Sequence, residues 1–278
     1  MQSDNGLSAK TTEIRTRDGV RLFHRDWGQG QSMVFVHSWA MSSDMWAYQV
    51  AHLSEQGFRC IAYDRRGHGR SDAVSRGFDI DTLADDLAAV IEGLALENVI
   101  LVGHSMGGGE IVRYLGRHGT ARVAKVVLLA PVTPCILQKP DNAYGAPMAY
   151  YEAVRETWRT DFPKWIEDNK APFFTPETSP RMIEWLVDQM LDTPVPVAIA
   201  TNKAMVDADL RRDLAEIDRP MLILHGDVDA SAPVDLTGRR TAEAVRGARL
   251  KVYPGAPHGL FVTHMEEVNR DILEFASA

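Results

Sequence analysis

VILVGHSMGGGE, residues Val99–Glu110, runs apolar for four residues and then sets a histidine and a serine in front of three consecutive glycines. An unalternating apolar run of this length suits a strand buried on both faces. The glycines after it permit a tight turn into a helix, which leaves the Ser105 hydroxyl standing where its neighbours offer almost no side chain. Whether Ser105 merely caps that helix or acts as a nucleophile is decided by the rest of the chain.

Similar runs occur at Met33–Val36, Cys60–Tyr63, Val123–Ala130, Met221–Gly226 and Arg249–Gly255. A hairpin precedes them, TTEIRTRDGVRLFHRDWG from Thr11 to Gly28, turning at Asp18-Gly19. Helical patterns lie between the runs. Ser43 is read as the cap of a segment with Trp46, Val50 and Leu53 on one face, and Asp81 opens another with Leu83, Leu87, Ile91 and Leu94 at three-to-four spacing. A last helix is expected from about Thr263 to Phe275. Strand alternating with helix predicts an α/β fold with a mostly parallel sheet of eight strands.

The alternation breaks between Pro131 and Arg219 into aromatic helical pieces, YYEAVRETW, DFPKWIEDN and PRMIEWLVDQML. Because the sheet pattern resumes afterwards, this segment reads as a helical cap, about residues 132–218, inserted into one domain with its core at 1–131 and 219–278.

Composition narrows the function classes. The 278 residues are 45% hydrophobic and 24% charged, ordinary for a globular chain long enough to bury a sizeable core. A formal charge of −8 argues against nucleic acid as a partner, since phosphate binding needs clustered cations. The short basic run DRRGHGR, Asp64–Arg70, is glycine-broken and reads as a structural turn. Two cysteines, Cys60 and Cys135, make no disulfide framework or CxxC motif; Cys60 reads as a small buried hydrophobe. The start MQSDNGLSAK has no apolar leader and no window suits a membrane span, so a soluble cytoplasmic protein is expected. GGG at Gly107–Gly109 is not a dinucleotide fingerprint, no P-loop is present and no histidine shows zinc spacing; neither cofactor nor metal is expected.

Gly103-His104-Ser105-Met106-Gly107 is G-x-S-x-G between a strand and a helix, the setting in which a serine is lifted out of the sheet. Serine is a poor nucleophile without a base and a group to orient that base. On this arrangement an acid and then a histidine should follow in chain order, each after a strand. LILHGDVDASAP offers Asp227 and Asp229; Asp229, deeper in the loop and able to reach the next strand, is favoured over Asp227, which suits a turn. Among nine histidines, His258 in YPGAPHGLF falls between the last strand and the last helix. Its nearest rival, His264, lies inside Thr263-x-x-Glu266, a capping box that would fix it in the first turn of a helix, facing away. His24, His52, His68, His118 and His225 read as surface or structural residues. Two backbone donors must face a developing oxyanion, and the amides of Met106 and of Trp39, in the loop after Met33–Val36, are placed for this. His37 reads as a brace of that loop.

The motifs FVHSWAMSSDMW, YDRRGHGRSD, LVGHSMGGGE, LILHGDVDASAP and YPGAPHGLFVTH together resemble the α/β-hydrolase superfamily over nearly the whole chain, and within it the cofactor-free (non-haem) haloperoxidase and aryl-esterase subfamily. The resemblance implies the α/β-hydrolase fold, Ser105 as nucleophile, Asp229 as acid, His258 as base, and Trp39 and Met106 as oxyanion donors. It implies hydrolysis of small carboxylic esters, with peracid formation from a carboxylic acid and hydrogen peroxide as the alternative. Ser38 stands where the family usually has glycine, and Ala40 where peracid-forming members often have proline, which ranks ester hydrolysis first. A lactonase, a C–C bond hydrolase and a non-enzymatic ligand receptor are the other readings on this fold. The expected partner is a small ester or acyl substrate, with no membrane and with self-association open. Of the cap's apolar residues, Phe162, Trp165 and Trp185 are expected to line the substrate pocket with Trp39.

Overall fold

Both faces of the central strands are covered, which is why their sequences do not alternate. In the strand Gln31–Val36, Met33 and Phe35 join one apolar cluster while Val34 and Val36 join the other, and all four are at most 1% exposed. The computed structural model describes residues 12–278. The start Met1–Lys10, read above for a leader, and Thr11 of the hairpin lie outside the described residues.

The strands are β1 (Glu13–Arg15), β2 (Arg21–Trp27), β3 (Gln31–Val36), β4 (Phe58–Tyr63), β5 (Val99–His104), β6 (Val123–Leu129), β7 (Met221–Gly226) and β8 (Arg249–Tyr253). They form one eight-stranded sheet in the order β1-β2-β4-β3-β5-β6-β7-β8. Only the β1–β2 and β2–β4 pairings are antiparallel. The hairpin turns at Gly19, whose φ of +90° needs glycine.

On one face, a 3-10 turn (Ser43–Trp46) leads into α1 (Ala47–Glu55). Its cap is Ser42 rather than the expected Ser43: the Ser42 hydroxyl accepts the Asp44 amide at 3.3 Å, while the Ser43 amide is committed to Asp64 at 2.8 Å. On the other face, α2 (Ile80–Gly93) starts at Asp79, not Asp81, because the Asp79 carboxylate accepts the Thr82 amide at 2.9 Å. It packs beside α3 (Met106–His118). A Cβ on Gly107 would sit 2.3 Å from the Val36 carbonyl oxygen, so glycine there lets α3 begin directly on β3.

Between β6 and β7 come α4 (Met148–Asn169), α5 (Pro180–Leu191), α6 (Val195–Asp207) and α7 (Arg211–Ala215). The two pieces read from the sequence as YYEAVRETW and DFPKWIEDN are halves of α4, broken at Asp161 (φ −159°, ψ 85°). The Asp161 carboxylate accepts the Lys164 amide at 2.9 Å and so restarts the helix beside Pro163. After β7 follows α8 (Gly238–Ala244), and after β8 come α9 (Leu260–Thr263) and α10 (Met265–Ser277). The last helix expected from about Thr263 to Phe275 is α10, begun two residues later, and the short α9 precedes it. Thr263 closes α9, its hydroxyl lies 3.0 Å from His264 Nδ1, and the expected capping box does not form. Among the described residues, no helix is long and apolar enough to cross a membrane.

Candidate active site

Ser105 stands at φ +53°, ψ −116°, between β5 and α3. A non-glycine residue held in that region stores about 1–3 kcal/mol of strain, which the surrounding structure must impose. The hydroxyl does not cap α3. It points instead at His258, with Oγ 2.9 Å from Nε2. His258 Nδ1 lies 2.7 Å from Asp229 Oδ2. Three residues from three strand ends, separated by up to 153 positions, are thus joined in one hydrogen-bonded line.

Asp229 is fully committed. Its Oδ1 accepts the amides of Ser231 and Ala232 at 2.9 and 2.8 Å, and its Oδ2 faces both His258 and, at 3.2 Å, His225 Nε2. Burial by itself would raise this carboxyl, but His258, His225 and the Ala232 amide outweigh it and hold the group well below the ordinary carboxylate range. Asp227 takes the turn role, accepting the Gly255 amide at 2.7 Å and bracing the loop that leads to His258.

Two histidines that the sequence reading left out of the site support it. His225 Nε2 also lies 2.7 Å from the Ala232 carbonyl, which only accepts, so this nitrogen carries the proton and donates. His104 Nε2 donates to the His258 carbonyl at 2.9 Å, fixing the backbone that bears the His258 ring. Burial pushes His104 down to about 3, so it stays neutral in this role. The signal for both lies in strand position: each is the last or next-to-last residue of a strand, beside a site residue. His264 makes no such contact; its ring lies 6.2 Å from that of Tyr253.

Behind the serine, a buried network holds the loop after β3. The Arg65 guanidinium, 1% exposed, donates from Nε to Glu110 of α3 at 2.8 Å and from its terminal nitrogens to the carbonyls of His37 (2.7 Å) and Ser38 (3.2 Å). The Arg65 amide donates to His37 Nε2 at 2.9 Å, so the His37 proton sits on Nδ1, which donates to Ser38 at 2.8 Å. The peptide plane then fixes the next group. With the Ser38 carbonyl drawn inward, the Trp39 N–H must point the opposite way. That N–H, like the Met106 N–H opening α3, finds no acceptor among the described residues.

The ion pair therefore ties α3 to this loop. Glu110→Leu leaves Arg65 buried without its carboxylate, and a loss of about 3–5 kcal/mol is expected in the urea-unfolding free energy. Adding Arg65→Met should recover part of it; an unchanged midpoint in the single variant would contradict this account.

Ser105 and His258 open into a cavity of about 540 Å³ walled by residues from α4, α5 and α6. Trp39 and Trp165 line it, and the Trp39 indole donates to the Ala198 carbonyl of α6 at 2.8 Å. Phe162 and Trp185, expected there, do not. Phe162 is buried behind the wall, its ring 6.0 Å from those of Trp39 and Trp158, and Trp185 turns to Tyr48 on α1. Trp158, stacked on Trp39 at 4.7 Å, and Phe173, 5.6 Å from the His258 ring, take their place. Cys135 also reaches the wall, whereas Cys60 is buried in the sheet, where burial pushes its thiol up to about 12. In DRRGHGR, Arg66 binds Asp86 at 2.6 Å and Arg70 binds Asp64 at 3.0 Å, so the run is a braced turn.

This sheet order, with a serine at a strained strand-to-helix turn and a histidine and aspartate on later strand ends, defines an α/β hydrolase. The family model described as the alpha/beta hydrolase fold matches residues 31–265, and the chain belongs to that family of enzymes. It is 40% identical over 267 residues to the non-haem chloroperoxidase CPO-A1 of Kitasatospora aureofaciens, covering 94% of this chain and 97% of that one. It is 36% identical to the bifunctional esterase/perhydrolase DCH of Acinetobacter calcoaceticus, covering 94% and 98%. Among solved structures, the esterase EaEST of Exiguobacterium antarcticum superposes with a TM-score of 0.93 at 32% identity, covering 96% and 99%.

Proposed function

We propose that this enzyme hydrolyses small carboxylic esters through an acyl-enzyme on Ser105. The observation that carries the reading is the Ser105 Oγ–His258 Nε2 distance of 2.9 Å, backed by Asp229 at 2.7 Å on the other ring nitrogen. Ser105 attacks the ester carbonyl as His258 takes its proton. The amides of Trp39 and Met106 receive the oxyanion, and Asp229 holds the imidazole with its proton on Nδ1. His258 then protonates the departing alcohol, and water, deprotonated by the same ring, releases the acid. Residues 132–218 serve in this reading as the cap that screens the acyl-enzyme and shapes the pocket.

A second reading is favoured by the relatives named chloroperoxidase and esterase/perhydrolase. Hydrogen peroxide replaces water in the second step, so the acyl group leaves as a peracid and the serine is regenerated. Both share one acyl-enzyme; with a carboxylic acid as acyl donor the first step releases water in place of an alcohol, and the second step then differs in what attacks.

The test is initial-rate hydrolysis of p-nitrophenyl acetate, butyrate and octanoate beside a halogenation assay with acetate and peroxide. Fast cleavage falling with chain length, with weak halogenation, is expected. Strong halogenation with little cleavage would replace the first reading by the second. Silence in both would favour a receptor or a C–C substrate.

A further inference from the structure

Arg155 on α4 is 6% exposed yet has no carboxylate partner among the described residues. Its guanidinium donates from one terminal nitrogen to Asn202 Oδ1 of α6 at 3.1 Å, and its other terminal nitrogen is 3.6 Å from the Met148 sulfur. Both partners are neutral. Guanidinium stays protonated at any relevant pH and has only donors, so a buried one without an anion is costly unless a ligand supplies the charge.

The same bond fixes Asn202. Because arginine cannot accept, the amide oxygen must face Arg155, and the planar amide then turns its NH₂ the other way. Asn202 is 7% exposed, lines the cavity shared with Ser105, and its Nδ2 has no partner among the described residues. It lies one helical turn along α6 from Ala198, whose carbonyl holds the Trp39 indole. In a chain of formal charge −8, the described wall of this cavity carries no Asp or Glu, and Lys170 is on it.

We propose that Asn202, polarised by Arg155, is a second anchor in the cavity for a carboxylate on the substrate's acyl chain, so that monoesters of short dicarboxylic acids are preferred to neutral esters of like size. The proposal rests on the esterase reading for its catalytic step and on the Asn202–Arg155 geometry for its specificity. The carboxylate accepts from Nδ2 with the guanidinium charge behind it, while the ester carbonyl at the other end reaches Ser105.

The test compares kcat/KM for monomethyl succinate, glutarate and adipate with methyl valerate, hexanoate and heptanoate by pH-stat. A preference of about tenfold to a hundredfold is expected for at least one monoester, the range of a hydrogen bond to a charged group. Isothermal titration of free glutarate into Ser105→Ala protein reads the same subsite without turnover.

Asn202→Asp keeps the fold by pairing with Arg155 and sets a negative charge against the ligand, so it should abolish both the preference and glutarate binding. Labelling of Ser105 by a fluorophosphonate reports that this variant is folded. Arg155→Met should reduce the preference in the same direction. No preference together with no glutarate binding in the unaltered pocket overturns the proposal. So does a preference that survives Asn202→Asp, or one that only Lys170→Met removes. Failure of the esterase reading is separate: glutarate would bind while no ester is cleaved.

Discussion

Ser105→Ala should lower kcat for p-nitrophenyl acetate by about 10⁴- to 10⁶-fold, the loss seen when a nucleophile is removed from a triad that works as a unit. The residue that remains still has the Cβ and the strained φ of +53°, so the turn is not relaxed by the change. One hydrogen bond to His258 is lost, worth about 0.5–1.5 kcal/mol, and the unfolding midpoint should move little. The unaltered enzyme should release a burst of p-nitrophenol equal to the serine concentration and accept one fluorophosphonate; the variant should do neither. Retained hydrolysis would move the nucleophile elsewhere. Residual activity that a thiol-alkylating reagent abolishes would point to Cys135, the thiol that the described cavity wall carries.

The sheet was legible because its strands are buried on both sides. Met33, Val34, Phe35 and Val36 must all be apolar when alternate residues enter opposite cores, and such short apolar runs recur along the chain at each central strand. The candidate site was legible for a related reason: its serine, aspartate and histidine each follow such a strand, so chain order and strand ends single them out. Asp229 was separated from Asp227 by reach alone, and the geometry agrees with that argument, since Asp227 is taken by the Gly255 amide.

What was not legible depends on partners distant in sequence. Arg65 and Glu110 are 45 positions apart, and nothing in either segment says that a guanidinium threads between α3 and the loop after β3. His225 reads as the end of an apolar strand until Asp229 is seen to curl back to it. The helices between β6 and β7 were harder still. VPVAIATNKAMVD, which forms α6, carries Pro196 in its first turn after the Pro194 cap and has no polar face to mark it as a helix. Aromatic residues crowd both sides of α4, so spacing could not separate Trp158 and Trp165, which face the cavity, from Phe162, which backs them. The caps were misplaced by one or two residues for a local reason: Ser42 and Ser43, or Asp79 and Asp81, are equally good cap residues until one is claimed by another group.

Asp229→Asn should cost about 10⁴-fold in kcat while leaving the fold in place, because the site's own hydrogen bonds force the wrong histidine tautomer. The amides of Ser231 and Ala232 can only donate, and both aim at Oδ1, at 2.9 and 2.8 Å. The amide oxygen of the substituted side chain must therefore occupy that position. Its NH₂ falls where Oδ2 now receives His258 and His225. An NH₂ at 2.7 Å from His258 Nδ1 donates to it, so the ring proton moves to Nε2 and faces Ser105 Oγ, where a proton acceptor is required. The serine keeps its proton and the nucleophile is silent although every heavy atom is in place. Nitrogen-15 NMR of the ring should report protonation at Nδ1 in the unaltered enzyme and at Nε2 in the variant. His225 would lose a partner in the same step, but its Nε2 proton keeps the Ala232 carbonyl at 2.7 Å, so the loop after β7 should hold. A variant with near-normal kcat would mean that Asp229 does not set the tautomer. One with the Nδ1 proton retained but low kcat would mean that it acts through its charge on the imidazolium instead.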